Sequence, residues 1–138
     1  MGRVMMVLWV ILAGLVVAMG YVRLAPSDPV KWHVTPEATR DRDFARGVSR
    51  VLETGPGGLA RFDAFARATP RTVVLAGSVD AGMLTYVTRS VVWGFPDYTT
   101  VRQDGDQLRI YARSRFGRKD FGVNRARVDR WLAALQAG

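Results

Sequence analysis

The chain has 138 residues, enough for one modest domain, and it contains no cysteine and one histidine. The absence of cysteine excludes disulfides, thiolate zinc sites and a cysteine nucleophile, and it is compatible with an oxidising compartment. The formal net charge of +8 favours anionic lipid headgroups, nucleic acid or an acidic partner, although a genome-wide bias toward Arg, Ala, Gly and Val would produce the same excess.

The N-terminal segment is the most apolar part of the chain. Residues 4–22 are nineteen consecutive uncharged residues, flanked by Arg3 and Arg23. As a helix they would span about 28 Å, close to the hydrocarbon thickness of a bilayer. We therefore predict a single-pass membrane anchor over residues 1–23. A cleaved signal peptide is the alternative, because Ala18-Met19-Gly20 has small residues at the required spacing.

Residues 24–43 are predicted to form an extended tether that leads away from the membrane. They contain three prolines and few periodic apolar residues, which is typical of a linker. Trp32 is available to pack on the domain, and His33 is expected at the surface rather than as a catalytic base. Because only three residues precede the apolar run, we expect the long C-terminal part outside the cytoplasm.

The remaining residues, 44–138, are predicted to form the folded domain. Residues 44–53 fit either a helix or a short strand. Residues 59–68 indicate an amphipathic helix that ends before Pro70. Its apolar stripe consists of Leu59, Phe62, Phe65 and Ala66.

Four strand-like segments follow that helix. They cover residues 72–79, 83–93, 98–103 and 107–114. Asp104-Gly105-Asp106 joins the last two as a hairpin turn, and Gly94-Phe95-Pro96-Asp97 is predicted as the preceding turn. In the last strand, alternation separates two faces, one with Leu108, Ile110 and Ala112 and the other with Arg109, Tyr111 and Arg113.

The chain closes with a predicted helix, for which either Asn124 or Asp120 is a suitable N-cap. The residues that recur at helical spacing are Val128, Trp131, Leu132 and Leu135. Strands flanked by helices predict an α+β fold: a two-layer sandwich with a mainly antiparallel sheet of four to five strands and a C-terminal helix, preceded by the N-terminal transmembrane helix.

Two stretches, residues 85–101 and 112–128, share a pattern of spaced polar residues and glycines. In order, it reads Thr88-Arg89-Ser90, Gly94-Phe95-Pro96-Asp97, Ser114-Arg115, Gly117 and Asp120-x-Gly122-x-Asn124-Arg125. This pattern resembles the signature of DUF1499, a family of uncharacterised proteins. The chain lacks the Cys- and Pro-rich N-terminal segment of many relatives and looks like the bacterial, membrane-anchored variety. The resemblance implies a shared fold and brings no established activity or ligand.

The same stretches supply the candidate binding residues. A helix N-terminus with Arg125 and Arg127 in its first turn favours an anion, because free amides and positive charge converge there. The candidate ligand-binding residues are Arg89, Asp97, Arg113, Arg115, Asp120, Asn124 and Arg125. The competing interpretation is structural: Asp97 and Asp120 pair with Arg89 or Arg115 and hold the loops in place.

No catalytic residue, metal ligand or cofactor is predicted, since Ser90 and Ser114 have no neighbouring histidine. The leading hypothesis is a domain anchored in the bacterial inner membrane, on the extracytoplasmic side. It would bind an anionic or amphipathic small ligand, such as a lipid, or an envelope protein, and no nucleic acid. The alternative is a purely structural interaction module with an exposed aromatic patch of Phe95, Tyr98 and Phe116.

Overall fold

The structure is a computed structural model, and it describes residues 2–137. The chain begins with a long helix, α1 (Gly2–Leu24), in which the 18-residue window of highest mean hydropathy (2.4) has no buried residue. A helix that is apolar all round and not covered by protein would expose its apolar side chains to water, which is unfavourable. Among the described residues, α1 is the helix that is long and apolar enough to cross a membrane.

The centre of the domain is one antiparallel sheet. Its strands are β1 (Arg42–Phe44), β2 (Gly47–Glu53), β3 (Thr72–Ser78), β4 (Met83–Arg89), β5 (Pro96–Asp104) and β6 (Gln107–Ser114). They are ordered β1-β2-β6-β5-β4-β3, with every neighbouring pair antiparallel. The α+β class is therefore confirmed, with six strands rather than four to five.

Residues 44–53, which fitted both a helix and a strand, supply β2, and the end of the predicted tether supplies β1. The two strands form a hairpin; in β2, Val48, Arg50 and Leu52 point to one face and Ser49 and Val51 to the other. β2 pairs with β6 over its whole length. The segment therefore forms a strand, whose side chains alternate between the two faces of the sheet, and not the helix that its apolar spacing also fitted.

Two helices cover one face of the sheet, namely α3 (Gly58–Arg67) and α4 (Val123–Ala137), whereas α2 (Pro29–Trp32) is a single turn. The core between helices and sheet includes Leu59, Phe62, Val128, Trp131, Leu132, Leu135, Leu84, Tyr86, Leu108, Ile110 and Ala112. The predicted alternation in β6 and the apolar spacing of the last helix are thus confirmed. Phe65 is 37% exposed because it lies at the margin of this interface.

The connection between β4 and β5 differs from the predicted one. β4 ends at Arg89, and the turn covers residues 90–95, where the amides of Gly94 and Phe95 donate to the carbonyl and hydroxyl oxygens of Ser90. Pro96 is the first residue of β5, a position in a strand that tolerates the missing N–H. Asp97 therefore belongs to a strand, and its side chain points toward α4.

The segment between α1 and β1 lies across the second face of the sheet instead of leading away from it. Trp32 stacks on Tyr98, and the carbonyl oxygens of Pro26, Trp32 and Ala38 accept hydrogen bonds from arginines of β6 and the residue after it. Because these contacts begin near residue 25, the packed unit starts well before the predicted boundary at residue 44. His33 is half-buried there rather than a free surface residue.

Candidate anion-binding cleft

A buried ion pair joins β5 to α4. A side-chain nitrogen of Arg127 lies 3.2 Å from Oδ2 of Asp97, and the two side chains are only 8% and 13% exposed. Burial raises the pKa of the Asp97 carboxyl above its ordinary value, although Arg127 and the Ser114 hydroxyl oppose this shift. Burial also disfavours the charged form of Arg127 and so lowers its pKa, while Asp97 opposes this shift. Removing the two charges from water is unfavourable, and the hydrogen bonds of the pair offset this desolvation cost.

Asn124 connects this ion pair to the start of α4. It is fully buried; its amide nitrogen donates to Oγ of Ser114 (3.1 Å) and to Oδ2 of Asp120 (3.0 Å), and its amide oxygen accepts from Arg127 (3.0 Å). Asp120 also accepts from the backbone amides of Gly122 and Asn124. Asp120 is therefore the residue that caps α4, and Asn124 lies inside its first turn.

The other predicted arginines lie elsewhere. Arg113 and Arg115 project from the opposite face of the sheet, where Arg113 donates to Thr100, Tyr111 and Trp32 and Arg115 donates to Pro26. Arg89 donates to the carbonyl oxygens of Gly94 (2.9 Å) and Val22 (3.4 Å). These arginines hold the N-terminal segment and the 90–95 turn.

Arg125 lies apart both from the Asp97–Arg127 ion pair and from the arginines that hold the N-terminal segment. It pairs with Asp43 at 3.3 Å on the surface, and both side chains are at least half exposed. The seven candidate residues consequently do not converge on one site. The structural pairing expected for Asp97 does occur, but with Arg127 rather than with Arg89 or Arg115, and Asp120 binds amides instead of either arginine.

A cleft of about 590 Å³ lies between the C-terminal end of α3, the end of β4 and the side of α4 that carries Val123, Arg127 and Trp131. Its charged lining consists of Arg71, Arg89, Arg127, Arg130 and Asp97. Its apolar lining includes Phe65, Val91, Val123 and Trp131. We call it the arginine cleft. Arg89 borders it, but the Arg89 guanidinium is bound to the Gly94 and Val22 carbonyl oxygens, so the other three arginines and Asp97 leave a formal excess of two positive charges beside an apolar wall.

Two arginines of the arginine cleft, Arg71 and Arg130, were not predicted from the sequence as binding residues. Arg130 follows Arg127 by three residues, so helical spacing could have placed the two side chains on one face. Arg71 has φ of 57° in the turn between α3 and β3, and its Nε donates to the Arg89 carbonyl oxygen. That left-handed conformation, uncommon for a residue with a Cβ, is not readable from the local sequence.

A chain of hydrogen bonds runs beneath the N-terminal segment on the opposite face. Nδ1 of His33 lies 2.7 Å from Oγ1 of Thr85, which is 2.8 Å from Oγ1 of Thr100, which in turn accepts from Arg113. Burial and the nearby Arg113 lower the pKa of His33. Among residues 2–137, no three His, Asp or Glu side chains are grouped as metal ligands.

The comparison with known families agrees with the signature in the two charged stretches. Residues 24–135 match the family described as "Protein of unknown function (DUF1499)". The chain belongs to the DUF1499 family. The match begins at the end of α1 and includes the segment across the second face, so this segment is part of the DUF1499 unit. No curated protein and no solved structure matches the chain.

Proposed function

We propose that this DUF1499 protein is a membrane-anchored binding domain of the bacterial cell envelope, without catalytic activity, whose ligand is a small anionic molecule with an apolar part. The observation that carries the proposal is the arginine cleft, where the exposed Arg71 and Arg130 and the buried pair of Arg127 and Asp97 adjoin an apolar wall. A phosphate or carboxylate head would lie against the arginines, and the apolar part of the ligand would lie against Phe65 and Trp131.

The chemistry of the arginines supports an oxyanion as the bound group. A guanidinium presents five N–H donors in a planar fork that matches carboxylate and phosphate oxygens. Arg127 is buried, and its charge is balanced by Asp97. Arg71 and Arg130 are exposed at the cleft, so they can reorient toward a ligand without breaking the buried pair.

The anchoring part of the proposal depends on α1. Its length and hydropathy suit a bilayer span. Ala18-Met19-Gly20, where a signal peptidase would cut, is helical, and the last turn of the same helix packs on the domain through buried Val22. This continuity favours retention of α1 as an anchor, and the proposal places the anchor in the inner membrane with the domain on the extracytoplasmic side.

The alternative, a structural interaction module, requires an exposed aromatic patch. Tyr98 cannot contribute to that patch, because it is completely buried beneath Trp32. Phe95 and Phe116 remain partly exposed and contact each other, with 6.1 Å between ring centroids. The predicted patch therefore keeps only two of its three rings, and the charged cleft favours a small ligand over a protein partner.

Native mass spectrometry of the full-length protein, extracted gently from membranes of its host, tests the proposal. We expect a stoichiometric small anion on the wild type that is lost from the variant Arg71→Gln/Arg130→Gln. The variant Arg40→Gln/Arg102→Gln is a matched control, since it removes the same charge from exposed positions outside the cleft. A bare wild-type protein, or equal retention in both variants, would contradict the proposal.

A further inference from the structure

The connections at one end of the strands differ in charge from those at the other end. We call the first set, residues 45–46, 68–71, 90–95 and 115–122, the basic edge. It carries one carboxylate, Asp120, against five cationic side chains: Arg46, Arg71, Arg115, Arg118 and Lys119. The connections at the opposite edge, residues 54–57, 79–82 and 105–106, carry Asp80 and Asp106 and no Lys or Arg.

The basic edge also exposes large apolar side chains at the tips of its loops. Phe121 is 91% exposed, and Val91 and Val92 are 70% and 65% exposed. Beside them, Trp93 stacks on Phe95 with ring centroids 5.8 Å apart. Large apolar side chains exposed near one another are typical of interaction surfaces rather than of surfaces that contact only water.

The long apolar helix leaves the domain from this same edge. Arg23, in the last turn of α1, donates to the Val92 carbonyl oxygen at 2.6 Å. Arg89 donates to the Val22 carbonyl oxygen, and Tyr21 meets the ring of Phe116 edge-on at 6.3 Å between centroids. These contacts hold the 90–95 and 115–122 loops at the level where α1 would emerge from a bilayer.

We propose that the basic edge docks on the surface of the bilayer that holds α1. Val91, Val92 and Phe121 enter the interface, and the cations lie among anionic lipid headgroups. The arrangement combines three features of bilayer surfaces: aromatic rings at the headgroup level, apolar side chains below it and basic side chains attracted to negative charge. The inference rests on the proposed anchoring by α1. Arg71 and Val91 belong to both the basic edge and the arginine cleft, so the test uses Val92 and Phe121, which do not line the cleft.

The absence of cysteine allows a direct test by site-directed spin labelling of the full-length protein. We would prepare Val92→Cys, Phe121→Cys, Asp106→Cys and Val10→Cys separately and reconstitute each in phosphatidylcholine–phosphatidylglycerol vesicles. Collision with oxygen and with a water-soluble nickel chelate would then report the depth of each label. Asp106, at the opposite edge, is the matched control, and Val10, in the middle of α1, reports whether the helix is inserted.

We expect the labels at 92 and 121 to favour oxygen over nickel and to lie about 5–10 Å into the headgroup–acyl boundary, the depth typical of interfacial apolar side chains. The label at 106 should favour nickel. If the labels at positions 92 and 121 are as accessible to nickel as the label at 106, while the label at position 10 lies in hydrocarbon, the proposed docking is wrong and the anchoring by α1 is supported. If 10 is also accessible to nickel, the anchor fails and the docking fails with it.

Discussion

Trp32 and Tyr98 stack with ring centroids 4.0 Å apart and planes 12° from parallel. Trp32 belongs to the segment before β1 and Tyr98 to a central strand, so the stack attaches that segment to the sheet. The hydroxyl of Tyr98 also shares a 2.7 Å hydrogen bond with Ser27. The N-terminal segment is therefore a structural layer of the domain.

Substitution Trp32→Ala is expected to lower the free energy of unfolding by about 2–3 kcal/mol, because a half-buried aromatic side chain and its stacking partner both lose contact area. Urea denaturation of the full-length protein in detergent, followed by far-ultraviolet circular dichroism, measures the change. Val30→Ala, in the same short helix but exposed, is the control. A loss of stability equal to that of the control would mean that the segment is not part of the cooperative unit.

Arg113 is a buried cation that is held by three uncharged oxygen acceptors and stacks near the rings of Trp32 and Tyr111. Burial lowers its pKa, yet the group stays charged at neutral pH. We expect Arg113→Ala to cost about 3 kcal/mol of stability, the loss typical of hydrogen bonds to a charged group plus the ring contacts. Arg102→Ala, exposed on the adjacent strand, should be nearly neutral in the same urea titration. Equal values for the two variants would contradict this structural role.

Part of the secondary structure could be predicted from the sequence because it depends on local periodicity. Apolar alternation in β6 and helical spacing in α4 each report which face is buried, and the structure buries those faces. The layer formed by residues 25–41 could not be predicted in this way. Its contacts use the backbone carbonyl oxygens of Pro26, Trp32 and Ala38, and every residue has such an oxygen.

The candidate site was harder to predict because its members are joined by tertiary packing. Alternation does place Arg113 and Arg115 on one face, but it cannot show that Asp97 points to the other. The partner of Asp97 is thirty residues away on α4, and the position of that helix is set by Trp131 and Val128 in the core. Because the chain has many arginines, sequence spacing cannot identify which of them pairs with Asp97.

We expect the His33 imidazole to make the free energy of unfolding depend on pH. Its folded-state pKa is lowered by burial and by Arg113, so the unfolded chain binds the proton more tightly. The contribution of the neutral imidazole to the free energy of unfolding is fully present above the unfolded-state pKa of about 6.5. It is lost as the pH falls through the folded-state pKa. We expect the urea midpoint of the wild type to decrease below about pH 6.5 by more than that of His33→Gln. Parallel pH profiles for the two proteins would show that His33 does not contribute.

The ion pair of Asp97 and Arg127 gives the sharpest test of the helix–sheet junction. In Arg127→Met, Asp97 stays largely buried without its counter-ion, and we expect a loss of about 3–5 kcal/mol. Asp97→Asn/Arg127→Met removes the uncompensated charge, so it should recover much of that loss. Urea denaturation of the wild type, both single variants and the double variant at neutral pH provides the coupling free energy.

The pH dependence of Arg127→Met supplies a second readout with a defined sign. Burial already raises the pKa of Asp97, and removal of Arg127 raises it further, so the folded state then binds a proton that the unfolded state releases. The stability deficit of Arg127→Met relative to wild type should therefore shrink as pH falls toward about 4, the ordinary pKa of an aspartate. In Asp97→Asn/Arg127→Met the shrinkage should be absent, because no carboxyl remains at position 97. A deficit that is constant with pH would mean that the cost of losing Arg127 comes from packing rather than from the unpaired Asp97 carboxylate.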